Sequence, residues 1–434
     1  MADRTRGGWL VTTVAAFAAV AGMVLAVLGL LIGRPDLVVV GAPLILSMVW
    51  GIAIPPRAMP GVSLGIPRPV VEYSEVEAPL SIDPAEGVPA TRIRVSAESH
   101  RSVEALVDTR EPRKLRVSLV TVRTGRRKMF RIDFVGISSN TVFRSEPQTV
   151  GPVSIILLPQ AVGLREVPIP FQLHGLTGAH GSRRSGEGGD LRDVAVFAPG
   201  DRLRRIDWKT TARRQVAGAH PELYVRRNFA TADAHVMLVV DPRDNVGPKV
   251  NSWNTGEISP LDATALDIAR RAAATLARHY LQQGDRVGLV DMTRGGRTLL
   301  PASGRRHHHR LVHHLAIAES DGESRRYIRA PQIPSGAMVV VFSTFLDDIY
   351  AEMARMWRHE GHRVVAIDVL PTLNVEGLSP HAGIALRMLW MERTDRLADL
   401  IASGVEVVRW VGDTAHGDPV GVLTALSRSQ RRRR

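Results

Sequence analysis

Three stretches of the sequence carry side chains whose types and spacing could do chemistry. In the first, Pro199-Gly200-Asp201-Arg202-Leu203-Arg204-Arg205-Ile206-Asp207-Trp208-Lys209-Thr210-Thr211-Ala212-Arg213-Arg214, six basic residues and two acids surround one Trp. Pro-Gly signals a turn, because Pro holds φ near −65° and Gly accepts φ > 0. On a helix, Arg204 and Trp208 at i and i+4 would lay a guanidinium over an indole. Asp201 and Arg205 have the same spacing and would form a surface ion pair. The mixture suits a structural junction or a basic binding face. One Trp offers no row of stacking platforms, so nucleic acid is not expected.

The second stretch is Asp241-Pro242-Arg243-Asp244-Asn245, with Ser343-Thr344 and Asp368 further on. Each follows or ends an apolar run, the place where ligands gather at the carboxyl edge of an open parallel sheet. The third is Arg305-Arg306-His307-His308-His309-Arg310-Leu311-Val312-His313-His314. His309 and His313 at i and i+4 could share a metal on one helix face, the basis of a metal-hydrolase reading. No Glu lies between them and three Arg oppose a cation, which favours a solvated basic face that gains charge below about pH 6.5. The Gly/Ser-rich segment His174–Asp190 lacks the phosphate-cradling Gly-x-x-x-x-Gly-Lys-Ser/Thr pattern and reads as a surface loop. With no Gly-x-Ser-x-Gly elbow either, the chain is expected not to be an enzyme. It has no cysteine, so disulfides, thiolate metal sites and cysteine nucleophiles are excluded.

The elements that must position these residues follow from composition. The 434 residues allow two or three domains. Trp9–Gly33 and Leu37–Ile54 are uncharged, apolar and of spanning length, separated by Arg34-Pro35-Asp36. The first run is too long for a signal-peptide core, and no small-x-small cleavage site precedes Arg34. Residues 1–54 therefore read as a transmembrane hairpin with Pro43 as a kink. Arg on both flanks places its two ends in the cytosol, under the inner (plasma) membrane. A Pro/Gly linker, 55–69, leads to alternating apolar segments over 70–172, which predict a β-sandwich of roughly seven strands with a hairpin at Thr124-Gly125. Residues 173–233 hold the loop and the Trp208 stretch. From 234 to 412 strands alternate with helices, as in an α/β domain with a mostly parallel sheet. Ser259-Pro260 looks like the start of its first helix. Residues 413–434 form a basic tail ending Arg431–Arg434, which suits anionic membrane lipid or plain solvation. The excess of 56 Lys+Arg over 43 Asp+Glu, +13, suits a cytosolic leaflet, an acidic partner or nucleic acid alike. The sequence carries no signal for an oligomeric state.

The Trp208 stretch resembles the signature of the bacterial family called domain of unknown function 58. There an aromatic-x-Pro-Gly-Asp segment leads into Arg-Arg-Ile-Asp/His-Trp-Lys-x-x-Ala-Arg. Here it reads Phe197-Ala198-Pro199-Gly200-Asp201, then Arg204, Arg205, Ile206, Asp207, Trp208, Lys209, Ala212 and Arg213. Phe197 stands where the family often has Tyr, so that hydroxyl's hydrogen bond is absent. The resemblance implies a membrane anchor, a β-rich domain, the signature and a von Willebrand A-like, Rossmann-like α/β domain. It further implies a non-enzymatic scaffold or adaptor that works with MoxR-type AAA+ ATPases in protein assembly or envelope processes. The signature residues would be its partner contacts, with Asp207 paired to a nearby Arg and Trp208 buried at the domain junction.

Metal-binding von Willebrand A domains carry Asp-x-Ser-x-Ser in the first loop, with a Thr and an Asp from later loops, around Mg2+. Here Asp241 remains, Arg243 and Asn245 replace the serines, and Ser343-Thr344 stands where the family has Ser-Asp. Asp241, Asn245, Ser343 and Thr344 are thus a degenerate ligand set. A metal-dependent ligand-binding module is the alternative function, and no cofactor is expected. Asp347 and Asp348 could supply the missing carboxylate, although a place at a helix N-terminus is the simpler assignment. Otherwise an Asp241–Arg243 or Asp241–Asn245 contact merely shapes the loop.

Overall fold

A computed structural model of the chain describes residues 8–410 except 71–74, 140, 165, 174–179, 215–221, 293–297 and 319–329, together with 421, 423, 424, 426 and 427. The chain divides into two units. The first comprises Met1–Val122, Arg126–Leu157 and Ser259–Leu261; the second comprises Arg123–Gly125, Leu158–Ile258 and Asp262–Arg434.

The first unit opens with strand β1 (Trp9–Val11) and helices α1 (Thr13–Ile32) and α2 (Pro35–Ala53). Thr12 caps α1 by accepting from the Ala15 N–H, Gly33 ends it in the left-handed region, and Pro35 starts α2. At 20 and 19 residues both helices are long and apolar enough to cross a membrane. Their contact runs along glycine. A Cβ at Gly41 would lie 2.7 Å from the Gly22 carbonyl oxygen, and one at Gly22 would lie 2.9 Å from that of Gly41.

Short strands follow: β2 (Gly61–Leu64), β3 (Arg68–Val70), β4 (Glu75–Asp83), β5 (Ala90–Ser96), β6 (Val103–Asp108) and β7 (Arg113–Val120). Then come β8 (Gly125–Met129), β9 (Arg131–Ile137), β10 (Phe143–Ser145), β11 (Gln148–Val150) and β12 (Val153–Leu157). One antiparallel sheet runs β1-β10-β9-β5-β6 with β11 also on β9. Another runs β2-β4-β3 with β7 on β4, and β8 pairs with β12. Val76, Ala78, Leu80 and Ile82 alternate along β4 into one core shared with Ile93, Ile132 and Phe134 of the other sheet.

Three expectations change here. The expected linker 55–69 already contains β2 and begins β3, because Val62 and Leu64 reach the same core. Residues 158–172 belong to the second unit rather than to the β-rich one. The hairpin at Thr124-Gly125 does not form: β7 pairs with β4 and β8 with β12. Thr124 instead donates its N–H and its hydroxyl to Asp267, each at 2.7 Å.

The second unit begins with an antiparallel ribbon of β13 (His180–Val196) and β14 (Tyr224–Ala232), with helix α3 (Trp208–Arg214) between them in sequence. The surface loop expected over His174–Asp190 is therefore strand from His180 onward, while 174–179 lie outside the described residues. Next come β15 (His235–Val240), α4 (Ala265–Gln282), β16 (Arg286–Asp291), β17 (Leu299–Ala302), α5 (Arg305–Ile317) and β18 (Met338–Ser343). Last are α6 (Ile349–His359), β19 (Val364–Asp368), α7 (Pro380–Ala402) and β20 (Glu406–Arg409). The sheet order is β17-β16-β15-β18-β19-β20, with β17 antiparallel to β16 and the other pairs parallel.

The chain builds this sheet outward from β15 in both directions, so the order reverses between β15 and β18 and opens a crevice at their carboxyl ends. Both faces are covered. Val236 and Leu238 pack with Ala269, Ala273 and Leu276 of α4, while Met237 and Val239 pack with Tyr350 and Trp357 of α6. Residues 158–171 strap the unit: the Val162 N–H donates to Thr275 Oγ1 at 3.1 Å, and the Tyr280 hydroxyl donates to the Pro168 carbonyl at 2.5 Å. Helix α4 starts at Thr264, not at Ser259-Pro260, because Thr264 and Asp267 form a reciprocal capping box. The tail 413–434 lies outside the described residues apart from five helical positions, and Arg431–Arg434 are among those outside.

Candidate functional site

The signature is built on the ribbon. The Phe197 N–H donates to the Leu223 carbonyl, and Pro199-Gly200 turns the chain with Gly200 at φ 101. Asp201 closes the turn by accepting from the Ala198 N–H at 3.0 Å and from Arg227 Nη2 at 2.9 Å. A 3-10 turn over Leu203–Arg205 follows, and Ile206 bridges to Val225 of β14. Asp207 then caps α3. Its N–H donates to the Tyr224 carbonyl, while its carboxylate accepts from the Thr210 N–H at 3.1 Å and from Arg226 Nε at 2.8 Å. The Thr210 N–H and the Arg226 guanidinium hold the Asp207 carboxyl down at about 2. The Tyr224 N–H donates to Thr211 Oγ1 at 3.0 Å, and Arg214 lies over the Tyr224 ring.

The acids of the signature thus turn inward onto β14, and the bases stay outside. Asp207 is 8% exposed, whereas Trp208 and Leu203 are each 67% exposed. Arg202, Arg204, Lys209, Ala212, Arg213 and Arg214 are exposed around them, with Arg205 half-buried. Asp207 does pair with an Arg, but Trp208 is not buried. As the first helical residue after a capping Asp, it faces away from the strand that holds the cap. Arg204 and Trp208 do not share a helix, since the 3-10 turn ends at Arg205 and α3 begins at Trp208. Asp201 takes Arg227 as its ion-pair partner, and Arg205 acts on it as a nearby charge. Sequence reasoning misses Arg226 and Arg227 as the partners of these acids. The signal available is two acids in the signature followed by two consecutive bases on a strand whose sides alternate.

The second constellation lies at the sheet reversal. Asp241, just after β15, accepts from Arg243 Nε and Nη2, both at 3.0 Å, and from the Ser343 hydroxyl at 2.7 Å. Arg243 reaches on to Asp347, with Nη2 donating to Oδ1 at 2.9 Å and Nη1 donating to Oδ2. The guanidinium lies over the Tyr350 ring, 4.8 Å from its centroid. Thr344 donates its hydroxyl to Asp244 at 2.8 Å, and the Asp347 Oδ1 also accepts from the Ile349 N–H at the start of α6. The Asn245 side-chain oxygen is buried without a hydrogen-bond partner. Asp368, at the end of β19, pairs with Arg393 of α7 at 2.5 Å, and Arg393 also donates through Nε to the Thr344 carbonyl at 2.8 Å.

Burial pushes the Asp241 carboxyl up to about 6, outweighing the opposing hydrogen bonds from Arg243 and Ser343. Burial also opposes the Arg243 charge, but Asp347 and Asp241 outweigh it and raise the guanidinium further above its ordinary value. Within this one ion pair, therefore, the acid is held less readily charged than usual and the base more so. The shared guanidinium accounts for the difference: both groups are desolvated, but Arg243 is held by two carboxylates, whose pull exceeds its burial, whereas for Asp241 burial exceeds the pull of Arg243 and Ser343. Of the four expected ligands, Ser343 donates to Asp241, Thr344 turns to Asp244 and the Asn245 side-chain oxygen has no hydrogen-bond partner, while a guanidinium lies between Asp241 and Asp347. Because Arg has only donors, this set does not fit Mg2+.

The histidines give no third site. His307 is buried and hydrogen-bonds the Val287 carbonyl through Nε2 at 2.6 Å. Burial and then the neighbouring His309 lower the His308 pKa. Among the described residues no three His, Asp or Glu side chains converge to hold a metal.

Fold and sites together define a multi-domain mixed α/β protein with two helices of membrane-spanning length and a signature segment leading into an open sheet. Residues 193–384, from the ribbon through the first turn of α7, match the family described as Protein of unknown function DUF58. Uncharacterized proteins of Mycobacterium bovis and of Mycobacterium tuberculosis strains CDC 1551 and H37Rv are 28% identical over 229 residues, covering 50% of this chain and 67% of theirs. Crystal structures of OgpA from Akkermansia muciniphila align with 23% of this chain and 31% of that protein, at 11% identity and a TM-score of 0.14, a likeness that carries no argument.

Proposed function

We propose that the protein is a membrane-anchored, non-enzymatic adaptor that grips a partner protein through its signature face. One observation carries the reading: Trp208 and Leu203 stand exposed amid Arg202, Arg204, Lys209, Arg213 and Arg214, while the acids of the same segment are turned inward. Exposed Trp beside Arg is the composition of an interface hot spot, and the charge calls for an acidic partner surface. The family resemblance points to a MoxR-type AAA+ ATPase as that partner, in protein assembly or envelope processes. The sheet order and the polar carboxyl edge support a von Willebrand A-like module. The two apolar helices support anchoring in the plasma membrane, with the bulk of the chain cytosolic. The closed Asp241–Arg243–Asp347 edge speaks against a metal-dependent ligand-binding module.

The test is affinity capture of the candidate ATPase by the full chain in detergent. Trp208→Ala is expected to keep its thermal midpoint, since the side chain is exposed, and to lower capture at least tenfold. Undiminished capture by a folded Trp208→Ala protein would sink the proposal.

A further inference from the structure

We infer that Arg243 is the resident cation of the sheet's carboxyl edge: its guanidinium permanently occupies the place of a divalent ion, and its removal would open an oxygen-lined divalent-cation site. The geometry is that of a captured ion. Asp241 and Asp347 grip the guanidinium from the loops after β15 and β18, the two strands between which the sheet order reverses. Four hydrogen bonds occupy four of the five N–H donors that a guanidinium has. Hard oxygens adjoin it, the Ser343 hydroxyl on Asp241 and the Thr344 hydroxyl on Asp244, the Tyr350 ring covers the guanidinium, and the Asn245 side-chain oxygen of the same loop is buried without a hydrogen-bond partner. Asp241 and Asp347 hold the guanidinium directly, and the Arg393 and Arg396 guanidiniums beside the same loop are committed to the Thr344 and Phe345 carbonyls and to Asp368 and Asp348, so deleting Arg243 leaves its two carboxylates without their cation. Carboxylate, hydroxyl and amide oxygens are the ligands that Mg2+ and Mn2+ take.

The consequence is a module whose edge keeps one arrangement at any metal concentration. An exchangeable ion would let the 241–245 and 343–347 loops part when it leaves; a covalently tethered guanidinium does not leave. The inference rests on the von Willebrand A-like reading only for the kind of ion displaced. It makes no use of Trp208, so failure of partner capture would not touch it.

The full chain in detergent micelles is titrated with Mn2+, followed by water-proton relaxation, and with Mg2+ by calorimetry. The wild type is expected to take up neither ion saturably, and its thermal midpoint is expected to be unmoved by EDTA. Arg243→Ser, which removes the charge and leaves a hydroxyl on the loop close to the backbone, is expected to bind Mn2+ at least tenfold more tightly than the wild type. Adding Asp241→Asn to it should abolish the gain. Saturable uptake by the wild type that Asp241→Asn removes would overturn the inference, and so would a folded Arg243→Ser protein that binds no ion. The wild-type arm decides the matter even if Arg243→Ser does not fold.

Discussion

Asp267 is the side chain on which the second unit depends most visibly. It is 3% exposed and serves Thr264 as half of the capping box, while also accepting from Arg123 Nε, from the Thr124 N–H and from the Thr124 hydroxyl, each at 2.7 Å. Burial alone would raise its carboxyl, but Arg123, Thr124 and Thr264 outweigh that and lower it. Removing one member of a buried pair strands the other, so Asp267→Ala is expected to cost about 3–5 kcal/mol in urea unfolding. The pH dependence divides by sign. Asp267 and Asp207 have folded pKa values below the ordinary one, so the stability they supply is present above about pH 4 and lost as the pH falls through their folded values. Asp241 is the reverse. With a folded value of about 6, its contribution is full below about pH 4 and is lost as the pH rises through 6. Thermal midpoints measured between about pH 4 and pH 7 should therefore decline through this group, and Asp241→Asn should flatten the decline. An unchanged slope in the variant would refute the assignment.

Among the elements, the two apolar helices show how spacing becomes contact. Ala15, Gly22 and Gly29, the buried residues of α1, recur every seventh position, and Gly41 of α2 meets Gly22 backbone to backbone. Large residues such as Phe17, Leu30 and Leu31 face outward, more than 70% exposed. Gly41→Leu must push the helices apart, and is expected to destabilise the pair by about 1–3 kcal/mol in SDS-titration unfolding followed by circular dichroism. Gly33→Ala instead meets no atom but a left-handed φ of 68, so a smaller loss of about 1 kcal/mol is expected there. Helix α7 is longer than its buried stretch. Only Arg393 and Leu400 of its 23 residues are buried, so the apolar period that marks a packed helix begins near Glu392, while the helix itself begins at Pro380, behind a Ser379 cap.

For the whole molecule, the proposal joins an anchor of two apolar helices to a cytosolic face that carries the signature. The full chain is expected to stay with membranes through alkaline carbonate extraction. Release into the supernatant would remove the anchor, and with it the adaptor reading. Capture by the signature face should weaken steeply as salt rises, because the attraction comes from exposed bases over a screened distance of about 10 Å. EDTA should leave capture unchanged, since the edge cation is part of the chain.

Much of this is legible in residue order because periodicity and turn chemistry are local. The apolar runs of α1 and α2, the buried strand Val236–Val240 and the alternation along β4 each state their element by themselves. So does the signature, whose Pro-Gly turn and Asp cap act over a few residues. What sequence spacing could not decide is which charge meets which. Trp208 lies outside because Asp207 points in toward Arg226, 19 positions away. Arg243 is a captured ion because Asp347 arrives from beyond another strand, 104 positions on. Thr124 abandons a hairpin because Asp267 is close in space. Local sterics act along the chain, whereas the partner of a charge is set by packing, and only the folded chain specifies it.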